Sequence, residues 1–336
     1  MTLSEPFFTE EDIFYHRLIK LKRSLKVIAL SRLTIDHLDK MGIPKSHINY
    51  REKHKKYKNK KTEESEYSYT IATFSYNKQN FTLYKSKKAC SIIPNISNSQ
   101  LQHLLELRTE TDTNLKNNIQ NAALYCNSLN TMSKKHNTYR FNVDQEIQKA
   151  CLELEASNEY SRVINSLCSI TKQDTQPEYY TSWRETQKNT FNNKIIDLNG
   201  VRYRSKNEII SSICADSCGL FIEDEPFYPG TKLRADFGVM CANTSNDKSN
   251  RYKVNEKYVE ILGKCGDKAY DNKTAEKQEL AKKLGMQVLF INMTDEFNNL
   301  GSTTHFDMRK IEKLLIRFYF KNDFSNDDNA KICLPY

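Results

Sequence analysis

The chain has 336 residues, with 51 Lys and Arg against 42 Asp and Glu, a formal net charge of +9 and a hydrophobic fraction of 38%. That fraction is low for a globular protein, but aromatics at 11% supply large side chains for a core, so wholesale disorder and fibrous classes are excluded. No apolar run approaches the ~18–20 residues needed to cross a bilayer. Residues 1–11 are acidic and lack the basic-then-apolar layout of a secretory leader. The nine cysteines are odd in number and form no CxxC pair, which argues against a disulfide framework or zinc knuckle and reads as an intracellular, cytoplasmic protein without a membrane partner. Cys214 and Cys218, four apart on one helix face, read as core. The basic excess invites a polyanionic partner.

In chain order, Glu10, Glu11 and Asp12 open a helix that mixes Ile13, Phe14 and Leu18 with Lys20, Lys22 and Lys26. A second amphipathic piece runs through Ile35, Leu38 and Met41 and stops at Gly42 and Pro44. Residues 51–61 form a nearly continuous basic run, followed at once by Glu63, Glu64 and Glu66. The run reads either as a phosphate-contacting arm or localisation signal, or as a solvated linker. Tyr69, Ile71, Thr73 and Ser75, then Phe81 and Leu83, alternate around a polar tip at residues 77–80, the pattern of a β-hairpin. Residues 98–170 return to helix on Leu101, Leu104, Leu105, Ile147, Ala150 and Leu154. Residues 1–190 thus read as an α+β, mainly helical region that binds substrate or a protein partner. Residues 171–185, polar around Pro177, read as a linker.

Residues 191–336 have a different texture. Ile195 to Tyr203 is two short strands about Asn199 and Gly200, a strong hairpin signal. Ser205 and Glu208 have capping-box spacing before an apolar helical run with Ile209, Ile210 and Ile213. Residues 220–223, 233–240 and 254–262 read as strands, residues 267–284 as a helix closed by Gly285, and residues 286–292 as a buried strand. The expected order is helix, three strands, helix, strand. Asp236 and Glu260 stand within the apolar strands of that plan, where an ionised carboxylate is costly unless paired or metal-bound. Two such acids on adjacent strands meet the oxygen-ligand demand of Mg2+.

Tyr203, Ser205, Asn207 and Glu208, then Arg234, Ala235, Asp236 and Phe237, then Val259, Glu260, Ile261 and Gly263, then Tyr270, Lys273, Lys277 and Gly285 together resemble the PD-(D/E)XK nuclease superfamily. The likeness covers roughly residues 194–292 and is nearest to a branch whose lysine comes from the helix. It implies a C-terminal α/β restriction-endonuclease-like core. Residue by residue, it makes Asp236 and Glu260 metal-binding carboxylates, adds the main-chain oxygen of Ile261 as a ligand, and makes Glu208 a supporting acid. Lys277 becomes the catalytic base or stabiliser, with Lys273 one turn earlier and Lys264 on the Glu260 strand face as alternatives. Ala235 replaces the usual proline, and Leu262 stands where the family's strand lysine would be. Glu208 keeps a second reading as the capping-box acid alone.

The expectation that follows is a Mg2+-dependent endonuclease, with Mn2+ as a substitute, acting on DNA, RNA being the other candidate and a homodimer suiting paired cuts. The alternative is an inactive nuclease fold serving as a nucleic-acid-binding or protein-interaction module. Arg202 and Arg204 are further phosphate-contact candidates, and residues 241–252 are a polar insertion between the carboxylate strands.

Overall fold

A computed structural model describes residues 9–58, 64–83, 93, 96–133, 140–171, 196–198, 201–203, 205–242, 254–263, 266–293, 308–320 and 330–333. The protein is α+β, with helices predominating in its N-terminal part. Two compact units interleave along the chain. The first is built from the described parts of residues 1–29, 118–161 and 183–336, the second from those of 30–117 and 162–182. The units therefore do not part at residue 190. Helical segments far upstream join the C-terminal sheet because that sheet needs helices on its apolar faces.

Helix α1 (Glu10–Lys40) starts at a reciprocal cap, in which the Thr9 hydroxyl accepts from the Asp12 amide at 3.0 Å and the Asp12 carboxylate accepts from the Thr9 amide at 3.1 Å. The two helical pieces expected here are one helix, since no breaker precedes Gly42, whose φ of 75° turns the chain out of it.

The second unit carries the antiparallel sheet β1 (Asn49–Lys58), β2 (Glu64–Tyr76) and β3 (Gln79–Leu83), in that order. Its core gathers Leu38, Ile43, Phe74, Leu83, Leu101, Leu104 and Leu105. The expected hairpin is β2–β3, but its tip is only Asn77 and Lys78, at φ of 48° and 62°, the two-residue turn that matches strand twist. The basic run is neither a linker nor an unstructured arm through residue 58. It is β1, in register with β2 from Asn49↔Thr73 to Lys58↔Glu64. Helix α2 (Asn98–Ser133) contributes the buried guanidinium of Arg108, which donates to Asp39 at 2.6 Å and to the Ile43 carbonyl at 3.1 Å.

The first unit contains α3 (Val143–Ala156), and α4 (Asn158–Thr171) follows in the chain. The hairpin β4 (Ile196–Leu198) and β5 (Val201–Tyr203) pairs as expected, Ile196↔Tyr203. Next come α5 (Lys206–Ser217), β6 (Ile222–Asp224), β7 (Phe237–Ala242), β8 (Val254–Leu262), α6 (Lys268–Lys283), β9 (Val288–Asn292), α7 (Met308–Phe320) and β10 (Ala330–Cys333). The five-stranded sheet has the order β10-β9-β8-β7-β6, antiparallel except for the parallel pair β8–β9. A parallel pair needs a crossover, and α6 supplies it. The order of helix, three strands, helix and strand expected from the sequence is present in α5 to β9.

Buried ion pairs secure helices to this sheet. The Lys22 ammonium meets Glu153 at 3.1 Å, and the other Glu153 oxygen accepts from the Ala242 amide at 3.1 Å. Lys26 reaches Glu159 at 2.6 Å, Asp216 at 2.7 Å and the Leu220 carbonyl at 2.9 Å. Helix α5 turns in Ser211, Ser212, Cys214 and Ala215, whereas Ile213 is 40% exposed, so the apolar run of isoleucines is not its inner face. Cys214 and Cys218 are free and buried, as core residues should be, and burial pushes the Cys214 thiol up to about 12. No helix among the described residues is long and apolar enough to cross a membrane.

The residues 172–195 that hold most of the expected linker, residues 243–252 of the polar insertion, and Lys264 and Arg204 lie outside the described residues, as does the side chain of Arg202.

Candidate active site

Asp236 sits at the mouth of β7, one residue before its first paired residue. The ladder pairs Phe237 with Val259, and one further step places Asp236 opposite Glu260, so the two share a face of the sheet. The Asp236 amide donates to the Val259 carbonyl at 3.2 Å, and its Oδ2 accepts from the Ile261 amide at 2.5 Å. The carboxylate is thus fixed by the neighbouring strand's backbone.

Glu260 is 4% exposed on the sheet face shared with Tyr258. Val288 and Phe290 of β9, Ala281 of α6 and Tyr228 join Tyr258 in one buried cluster. Helix α6 begins at Asp267, whose carboxylate accepts from the amides of Ala269 and Tyr270. Lys277 stands one turn before the fully buried Ala281, so it faces the sheet. Its ammonium donates to both oxygens of Glu260, at 2.7 and 2.8 Å, and to the Arg234 carbonyl at 3.2 Å. The second partner of Glu260 is the hydroxyl of Tyr228, a side chain with 0% exposure that stacks edge-on against Tyr258.

Glu208 lies in the first turn of α5. The Ser205 hydroxyl donates to its Oε1 at 3.0 Å and accepts from its amide at 3.2 Å, so Ser205 caps the helix and the carboxylate binds the capping hydroxyl. The same carboxylate raises the pKa of both Asp236 and Glu260 through space. The geometry shows Glu208 at the helix cap, with its charge felt by the two strand acids.

Burial is the main force on the acids. It pushes the Asp236 carboxyl up to about 8, aided by the charges of Glu260 and Glu208 and opposed by the Ile261 amide and Lys277. Glu260 is also raised, first by burial, with Lys277 and Tyr228 pulling it back.

The structure therefore brings together Glu208, Asp236, Glu260 and Lys277. The amide of Ile261 holds Asp236, and its carbonyl accepts from the Tyr270 hydroxyl at 3.4 Å. Lys273 is exposed and pairs with none of these acids. Tyr228 was not singled out from the sequence. It lies in a turn between Pro226 and Gly230, 32 residues from Glu260 in the chain, and no spacing rule links such positions. Among the described residues, no group of three or more His, Cys, Asp or Glu side chains forms a ready-made cation cage. A cavity of about 560 Å³ at the other end of β7 and β8, lined by Lys22, Glu153, Lys257 and Tyr319, includes none of the site residues.

Comparison with protein-family models, with curated proteins and with solved structures gives no match to this chain.

Proposed function

We propose that the chain is a divalent-cation-dependent endonuclease that hydrolyses phosphodiester bonds of DNA, with a restriction-endonuclease-like core of the PD-(D/E)XK kind in its C-terminal part. One observation carries this reading: three carboxylates, Glu208, Asp236 and Glu260, act on one another beside the single ammonium of Lys277. Burial first, and then this excess negative charge, hold Asp236 near 8, and a divalent cation would relieve the charge. Mg2+ needs only one or two carboxylates when water and phosphate complete its shell, so a cage of three acids is not required. Asp236, Glu260 and the main-chain oxygen of Ile261 would hold the ion, with Glu208 in support and Mn2+ as a substitute.

When bound, such an ion lowers the pKa of a water and polarises a phosphoryl oxygen. The protein's own groups do the rest. The Ile261 amide and the Tyr228 hydroxyl keep the two carboxylates from rotating. Lys277 offers a fixed positive charge where negative charge grows on the phosphoryl group.

Incubation of the full chain with supercoiled plasmid, single-stranded DNA or RNA tests this in Mg2+, Mn2+ or EDTA. Cleavage of DNA only with an ion present, abolished by Asp236→Asn and Glu260→Gln, is the expected result. Cleavage that survives EDTA or either substitution refutes the assignment. The second reading, an inactive nuclease fold that binds nucleic acid or protein, draws on the satisfaction of Glu260 by Lys277 and Tyr228 without any ion. It requires binding without cleavage under every ion.

A further inference from the structure

The second unit holds a feature that the carboxylate site does not use. Strand β3 pairs only with Ala72 to Tyr76 of β2, so among the described residues the β1–β2 pairing from Arg51↔Ile71 to Lys58↔Glu64 continues without a third strand. At ~3.3 Å per residue its eight pairs span about 25 Å. Residues 51–55 and 68–70 are exposed on both faces. Beyond the buried Ile71 at its base, burial of an apolar face is therefore not what holds residues 52–55 and 68–70 extended.

Alternation along β1 sorts the charge. Arg51, Lys53 and Lys55 fall on one face, opposite Ile71, Tyr69 and Tyr67 in the register, whereas Glu52 falls on the other. Glu64 and Glu66 pair with Lys58 and Lys56, at register positions alternate to the three cations. Across the β1–β2 register the positions of Arg51, Lys53 and Lys55 meet no acid, and among the described residues none of the three side chains makes a hydrogen bond or ion pair. Tyr69, 39% exposed, adds an aromatic surface between them.

We infer that this ribbon is a docking surface for duplex DNA, its cationic face set against the phosphate backbone. A two-stranded ribbon is one of the two protein elements that the ~12 Å major groove of B-form DNA admits, while the deep, narrow major groove of A-form RNA does not. The inference deepens the endonuclease reading by naming where substrate is held, but it concerns binding alone and stands or falls without cleavage.

The test measures affinity of the full chain for a 20-base-pair DNA duplex in EDTA, from 50 to 300 mM NaCl. Loss of three phosphate contacts in Arg51→Gln/Lys53→Gln/Lys55→Gln makes the plot of log K against log salt shallower by about 2.7 and weakens binding about 500-fold at 0.1 M salt. These side chains are exposed, so the variant keeps its unfolding transition, which circular dichroism checks. A variant with the same net charge, Lys78→Gln/Lys116→Gln/Lys283→Gln, changes exposed lysines elsewhere and keeps the wild-type slope. An unchanged slope in the ribbon variant overturns the inference, as does an equal loss in the second variant. Equal affinity for duplex RNA of the same sequence, or for a polyglutamate peptide, overturns it too.

Discussion

Replacing Asp236 by Asn should make the ion-free protein more stable, which is the reverse of what deleting a polar partner usually does. The fold holds this carboxyl at about 8, far above its ordinary value of 3.8. A raised acid favours the folded state fully below its unfolded pKa, and that contribution is lost as pH rises toward the folded value. Each pH unit in the window costs about 1.4 kcal/mol, so the roughly three units up to pH 7 set an upper figure of about 4 kcal/mol. Asp236 is only partly buried as a residue, and solvent screening brings the expected gain to roughly 2–3 kcal/mol. Asn is the right probe because its side-chain oxygen still accepts from the Ile261 amide. Urea unfolding in EDTA at pH 4, 6 and 8 should give nearly equal stabilities at pH 4 and a widening advantage for the variant above it. Adding Mg2+ should raise the wild type and leave the variant behind, because a ligand stabilises only the state that binds it. A variant less stable than wild type at pH 8, or a difference that does not change with pH, refutes the electrostatic account of the site.

Lys277→Met strips the ammonium from a Glu260 that is 4% exposed, and should cost about 3 kcal/mol at pH 8. The loss should shrink at pH 5, where Glu260, its pKa already raised, protonates more readily without Lys277. Adding Glu260→Gln should recover much of it, whereas a double variant no better than the single would show that the pair does not interact as described. Gly219→Ala should lower the melting temperature steeply. Its φ is +75°, and an added Cβ would lie 2.4 Å from the carbonyl carbon of Lys22, so both strain and backbone collision apply. A change of less than about 1 kcal/mol by calorimetry would mean that α1 and the end of α5 do not pack as closely as the structure has them.

Sequence reading reached the carboxylates by a local argument. Asp236 and Glu260 are conspicuous because each falls within an apolar strand reading, but β8 is buried on both faces from Lys257 to Ile261, so its pattern does not tell which way Glu260 points. The element order from α5 to β9 was legible for the same reason, since helical and strand periodicities and the signals at Ser205, Asp267 and Gly285 are all short-range. The expected strand at residues 233–240 was set too early. Arg234 forms an isolated bridge to Phe227, and the continuous ladder begins at Phe237, which leaves Asp236 at its mouth.

By itself the sequence determined the order of helix and strand from the hairpin at residue 196 to the strand ending at residue 292, where two acids stand in the apolar strand plan, and that a basic run follows the first helix; the helix Met308–Phe320 and the strand Ala330–Cys333 came only from the structure. Only the tertiary structure decided that this run is a strand of an exposed ribbon, because charge density carries no period and does not name a pairing partner. It also decided that residues before 30 and from 118 to 161 complete the C-terminal unit, and that a tyrosine 32 residues away holds Glu260. Hydrogen bonds and ion pairs between distant positions depend on how elements pack, and the pattern of any one element is blind to them.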